Sequence, residues 1–108
     1  MRIQIVARHC DIPEAVRTRT EEQIPRLSRF DPRLSSAEVI FTEEKRERRV
    51  EVILSVNGGP PVVARASGDD FRSALDRVWD RAAKILRRSR DQLKDHKAPK
   101  PAEQLITE

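Results

Sequence analysis

Arg72, Arg77, Arg81, Lys84, Arg87, Arg88, Arg90 and Lys94 all fall within one stretch, from Asp70 to about Lys97. Between Arg72 and Lys97, nine Lys or Arg stand against four Asp, a local excess of +5. The whole chain carries +4, so the remaining residues sum to −1 and the basic character belongs to this one segment. The chemistry open to such a segment is recognition of a polyanion. Arginine presents a planar fork of donors that matches phosphate oxygens and stacks on bases. The blander alternative is a solvated helix face whose charges pair internally: Asp76 lies four before Asp80, and Asp80 four before Lys84. The size of the excess and the dominance of Arg favour phosphate.

Other chemistry finds little to stand on. No paired carboxylates sit in an apolar setting, and no Ser/His/Asp or Cys/His set has a recognisable context. Gly58-Gly59 is a turn, with none of the surroundings of a phosphate-binding loop. Cys10 is the sole cysteine, which rules out an internal disulfide and a CxxC pair. With only His9 and His96 beside it, a zinc site is not expected. His9 reads as an exposed strand-end residue and Cys10 as a small, semi-buried one. The expectation is a protein that is no enzyme, with no metal, cofactor or small-molecule substrate. The first residues, MRIQIVARHCD, are broken by Arg and Gln and do not read as a signal peptide, and no apolar run approaches membrane-spanning length. A cytoplasmic protein without a membrane partner is expected.

The elements that must position the basic stretch follow from hydrophobic spacing. Within the stretch, Phe71, Ala74, Leu75, Val78, Ala82, Ile85, Leu86 and Leu93 recur at helical steps and form one apolar stripe. Trp79 lies at the stripe's edge, with core packing its first role and base stacking a second. Neither Gly nor Pro interrupts the stretch, so one helix of about 25 residues, roughly 37 Å, is predicted, with Asp69 and Asp70 at its cap. Upstream, Arg2 to His9 alternates as a half-buried strand with Ile3, Ile5 and Ala7 inward. The run DIPEAVRTRTEEQIPRLSRF reads as a helix with Pro13 at its first position, bent or shortened at Pro25. Asp31, Pro32 and Arg33 form a turn. A second strand begins near Ala37, with Ala37, Val39 and Phe41 inward and Ile40 outward. EEKRERR (43–49) reads as a charged connection to a third strand with Val50, Val52, Leu54 and Val56 inward. Asn57-Gly58-Gly59 makes a hairpin turn, and Val62–Ser67 is a fourth strand, at an edge because of Pro60 and Pro61.

With 108 residues, of which 37% are apolar and 37% charged, the chain is long enough for one domain with a thin core. The order β-α-β-β-β-α predicts an α+β two-layer sandwich. Its four-stranded mixed sheet has a parallel first pair made by a crossover, and two helices cover one face. The domain is expected to span 1–97, with APKPAEQLITE (98–108) as a flexible tail.

Four segments, taken together, carry a resemblance: IQIVARHCDIPEAVR, QIPRLSRF, AEVIFTEEKRERRVEVILSVNGGPPVVARA and GDDFRSALDRVWDRAAKILRRSRDQLKDHK. In their order and spacing the chain resembles the short ribosome hibernation promoting factors, also described as ribosome-associated translation inhibitors, of the sigma-54 modulation protein family. The likeness runs over roughly residues 2 to 97, through individually diffuse motifs. It implies a βαβββα fold similar to double-stranded-RNA-binding folds. It also implies a non-catalytic protein bound to the small ribosomal subunit, its RNA and proteins, and so to the 70S ribosome. There it would occupy the channel for messenger and transfer RNA, inhibit translation and preserve idle ribosomes in stationary phase or stress. Longer relatives carry a further dimerisation domain, which a chain of this length is not expected to hold. Pro25 and Pro13 depart from the family pattern and bear on the shape of the first helix. The residues expected to face RNA are Arg77, Arg81, Lys84, Arg87, Arg88 and Lys94, followed by Arg8, Arg17, Lys45, Arg48 and Arg49. The alternative reading is a general double-stranded-RNA-binding or protein-interaction regulatory module, its basic face docked on an acidic surface.

Overall fold

The computed structural model describes residues 1–97, with side chains through Asp91; the tail reading at 98–108 lies outside the described residues. The elements are β1 (Arg2–Arg8), α1 (Glu14–Gln23), a 3-10 helix (Ile24–Arg29), β2 (Leu34–Glu44), β3 (Glu47–Val56), β4 (Val62–Gly68) and α2 (Phe71–Lys97). The strands lie in the order β1-β2-β3-β4. β1 pairs parallel with β2, from Arg2 opposite Ser36 to Arg8 opposite Thr42, and the other two pairs are antiparallel. The crossover through α1 makes the parallel pair, as the strand order predicts. The architecture is the expected α+β sandwich with β4 at an edge.

One sheet face carries the core. Val39, Phe41, Val50, Val52 and Leu54 are fully buried there beneath Ile24, Ala74, Leu75, Val78, Ala82 and Leu86 from the helical layer. α2 packs over β3 and β4, and the 3-10 helix reaches β2. Phe41 meets Phe71 edge-on, with ring centroids 5.5 Å apart, which fixes the start of α2 over the centre of the sheet. Asp70 caps that start: its Oδ1 accepts the Ser73 N–H at 2.7 Å, and this bond holds the Asp70 carboxyl below its ordinary range. The corner before it is tight because Gly68 has no side chain; a Cβ there would lie 3.1 Å from the Ala74 nitrogen.

Several expectations shift. Pro13 precedes the first helix, and its carbonyl accepts from Val16 and Arg17. Pro25 does shorten α1: the chain tightens at Ile24 into a 3-10 segment, whose N-terminal turn tolerates the missing N–H. β2 begins at Leu34, three residues early. The EEKRERR run is no loose connection. Glu43 and Glu44 end β2, Glu47, Arg48 and Arg49 begin β3, and only Lys45 and Arg46 form the turn, with Lys45 at a left-handed φ of 51°. Ala7, expected inward, is exposed, since β1 is an edge strand that the helices barely overlap. Ile40 faces outward as expected, yet it is buried on that open face. It sits in register between Val6 and Glu51, which shelter it.

The turn at Asp31 carries more than its sequence suggests. The Asp31 carboxylate is fully buried. It accepts the Arg33 backbone N–H and Nε, each at 3.0 Å, and Nη2 at 2.7 Å. The Arg33 bonds hold the carboxyl below the usual carboxylate range against the opposing pull of burial, and Arg90 adds to them.

The two helices are also joined by charge. Arg19 donates Nε and Nη2 to Asp76 Oδ1 at 3.2 and 3.0 Å across the α1–α2 seam. Both side chains are open to solvent by about a third or more, at 34% and 47%, so screening keeps the pair weak. A double-mutant cycle with Arg19→Ala and Asp76→Ala is expected to give a coupling of about 0.5 kcal/mol in urea unfolding, fading in high salt. A coupling that is zero at low salt would contradict the contact.

Candidate nucleic-acid interface

Spacing along α2 sorts its cations into flanks. Arg77, Arg81, Lys84 and Arg88 are separated by steps of four, three and four, which places them within about 60° of one another. All four are exposed. Arg77 donates Nη1 to the Ser67 carbonyl at 2.6 Å, and Arg81 donates Nη1 to the Arg65 carbonyl. β4 pairs only with β3, so these carbonyls lie on its open edge. The stripe therefore lies along the β4 edge. Among the described residues none of the four meets a carboxylate. Among the described residues the internal pairing expected of a merely solvated helix is missing: Asp76 turns to Arg19, and Asp80 makes no ion pair with Lys84.

Two other cations on α2, Arg87 and Arg90, turn toward Phe30 at the end of the 3-10 helix. Arg87 stands over the Phe30 ring at 5.3 Å, and Arg90 donates to the Phe30 carbonyl at 3.4 Å. Lys94 belongs to α2, but its side chain lies outside the described ones.

Of the cations expected from elsewhere in the chain, Arg49 alone joins the stripe. Lys45 is at the hairpin tip. Arg48 pairs with Glu43 at 3.5 Å and stands over the Phe71 ring at 6.0 Å, which offsets its charge. Arg8 ends β1 at the opposite edge of the sheet, and Arg17 lies half-buried on α1. Arg49 does join the β4 group: with Arg65, Arg77 and Arg81 it lines an open groove of about 440 Å³ floored by Ala66 and Ser67. Arg49 also meets Glu44 and Glu47 at 3.0 and 3.3 Å, and Arg65 meets Glu51 at 2.8 Å. Sequence reasoning passed over Arg65. Its signal was an outward-facing arginine on a strand whose prolines already marked it as an edge.

Other candidates resolve plainly. Trp79 is buried in the core, which removes base stacking; its indole N–H has no partner among the described residues. Cys10 is half-buried, with its thiol 3.5 Å from the Phe41 carbonyl and pushed up by burial and by Glu43. His9 is exposed at the exit of β1 with a φ of 57°. No helix among the described residues is long and apolar enough to cross a membrane.

A βαβββα sandwich flanked by an uncompensated arginine stripe can be set beside known proteins. The profile of the family described as sigma 54 modulation protein / S30EA ribosomal protein matches residues 3–94. The ribosome hibernation promoting factor of Azotobacter vinelandii is 32% identical over 104 residues, covering 95% of this chain and 96% of that one. The chain belongs to the ribosome hibernation promoting factor family. The factor of Escherichia coli K12 is 30% identical over 96 residues, 89% of this chain and 100% of the relative. A ribosomal subunit interface protein from Coxiella burnetii superimposes with a TM-score of 0.78 at 24% identity, over 84% of this chain and 99% of that chain, a likeness of fold. The N-terminal domain of Protein Y from Thermus thermophilus does so with a TM-score of 0.71 at 27% identity, over 82% and 98%. A hibernation factor of this family works with the ribosome, and its fold here is the one its solved relatives share.

Proposed function

We propose that the chain seats on the small ribosomal subunit in the channel used by messenger RNA and transfer RNA. There it inhibits translation and preserves idle ribosomes in the cytoplasm, without catalysing a reaction. The observation that carries this reading is the stripe of Arg77, Arg81, Lys84 and Arg88, exposed and without carboxylate partners among the described residues. Ribosomal RNA is a dense wall of phosphate, and a rigid basic flank binds such a wall by shape and backbone contact rather than by reading bases. Lys94 extends the stripe's helix, while Arg87, Arg8, Arg17, Lys45 and Arg48 lie outside the stripe and supply weaker contacts.

Sedimentation of a stationary-phase lysate through a sucrose gradient tests the proposal. The chain is expected to travel with small subunits and 70S ribosomes after nuclease has trimmed the messenger RNA. Presence only in the soluble top fractions would sink the proposal. Co-migration abolished by the trimming would mark a general RNA binder instead.

A further inference from the structure

Arg77 and Arg81 are held by the sheet. Each commits Nη1 to a carbonyl of the β4 edge, Ser67 O and Arg65 O, and its guanidinium makes no other hydrogen bond among the described residues. A guanidinium anchored through one nitrogen is already oriented, and its remaining donors form a fork that suits a phosphate. The two anchors also share a repeat. Carbonyls two residues apart on a strand are about 6.7 Å apart, and side chains four residues apart on a helix rise about 6 Å. Helix and strand therefore set the two guanidinium groups about 6 to 7 Å from each other, close to the separation of two phosphates joined through one ribose. Phosphates joined directly to each other are closer together. Behind the pair, Arg65 and Arg49 wall the same 440 Å³ groove, partly offset by Glu51, Glu44 and Glu47.

We propose that the seam between α2 and the β4 edge is a clamp for two ribose-spaced phosphates: Arg77 and Arg81, preset by the carbonyls of Ser67 and Arg65, take one phosphate each, and Arg65 and Arg49 close the groove behind them. The proposal rests on the reading of this flank as the face turned to RNA. It makes the strand edge part of the recognition surface and gives the stripe a register: one RNA strand runs parallel to β4. The same chemistry occurs in a free nucleoside 3′,5′-bisphosphate. The arginines further deny the β4 carbonyls to a foreign strand, so the edge serves binding without inviting pairing.

Titration with adenosine 3′,5′-bisphosphate against adenosine 5′-diphosphate at constant ionic strength tests the clamp, read by calorimetry and by the arginine Nε–H resonances. The wild-type chain is expected to prefer the 3′,5′-bisphosphate by about tenfold, with the Arg77 and Arg81 signals shifting. R77K/R81K keeps the charge but loses the fork, and is expected to bind both nucleotides equally. Equal binding by the wild type, or a preference that survives in R77K/R81K, would overturn the clamp. Circular dichroism of R77K/R81K confirms that it folds. If R77K/R81K fails to fold, R65K, outside the carbonyl anchors, takes its place, with a reduced preference expected and an unchanged one overturning the clamp. A pelleting arm separates the two sources. Displacement of the chain from small subunits by the bisphosphate makes the clamp an RNA-backbone contact; binding without displacement makes it a site for the free bisphosphate, and both uphold the clamp. Because the titration needs no ribosome, a chain that never pellets with small subunits overturns the reading in Proposed function and leaves the clamp to its own result.

Discussion

Replacing Arg81, Lys84 and Arg88 together with alanine is expected to weaken binding to small ribosomal subunits by on the order of a hundredfold and to flatten its salt dependence. Each phosphate left without its cation takes roughly 0.7 to 0.9 off the slope of log affinity against log salt, so three take off about 2 to 3. The three side chains are exposed, and only Arg81 has a described hydrogen bond, to the Arg65 carbonyl on the strand edge. The core beneath them, Ala74, Val78, Ala82 and Leu86, is untouched. The variant should therefore unfold near the wild-type midpoint, which separates a binding defect from a folding defect. A matched control removes three exposed cations from other surfaces, Arg2, Arg26 and Arg29. If placement decides, this control pellets with small subunits much as the wild type does. Equally weak binding by both variants would mean that total charge decides, and the stripe would have no special part.

Asp31 sets the second expectation, on stability. Asp31→Ala is expected to lower the unfolding free energy by about 2 kcal/mol, as urea unfolding at neutral pH would read it. The change leaves the Arg33 backbone N–H without its acceptor and frees a guanidinium now held over a buried carboxylate. The estimate stays below that for a fully buried ion pair because Arg33 is partly open to water. The same residue predicts a pH dependence. Its carboxyl is lowered in the folded chain relative to the ordinary value of about 3.9. The stability it contributes is thus complete above that value and is lost as pH falls through the lower folded one. Asp31→Asn, which cannot ionise, is expected to unfold with a shallower dependence on pH below about 4. An Asp31→Ala curve superimposed on the wild type, or an Asp31→Asn variant with undiminished acid sensitivity, would contradict the role assigned to the pair. The pair matters because the Arg33 carbonyl also accepts the Asn57 N–H at 2.9 Å, tying the turn before β2 to the end of β3.

Much of this was legible in the chain itself. Period-two alternation in β3 and period-three-to-four spacing in α2 reflect burial on one face, so apolar pattern and element type arise from the same cause. Crossover handedness then left one arrangement for β1 and β2. The hairpin of Lys45 and Arg46 was hidden because its arms are charged: at the end of a sheet strands no longer need apolar residues, so alternation fades before pairing does. Ile40 faces outward as its alternation predicts, yet it is buried, because the cross-strand neighbours Val6 and Glu51 shelter it rather than a helix.

The candidate site divides along the same line. That α2 carries a basic excess, and that Arg77, Arg81, Lys84 and Arg88 share a flank, follows from composition and the helical repeat alone. Which of the remaining cations join that flank depends on which strand lies beneath it and which residues pair across the sheet. Strand order puts Arg8 at the far edge, and the register of β3 with β4 brings Arg49 and Arg65 to the near one. Contacts such as Arg77 with Ser67, or Arg19 with Asp76, join residues 10 and 57 positions apart. No local pattern encodes them; packing the apolar stripe of α2 onto β3 and β4 brings Arg77 and Arg81 within reach of the β4 carbonyls, and packing α1 beside α2 brings Arg19 to Asp76. Fold class, and a helix charged for a polyanion, are written in the order of the amino acids. That the strand edge holds those charges in place is a property of the packed chain alone.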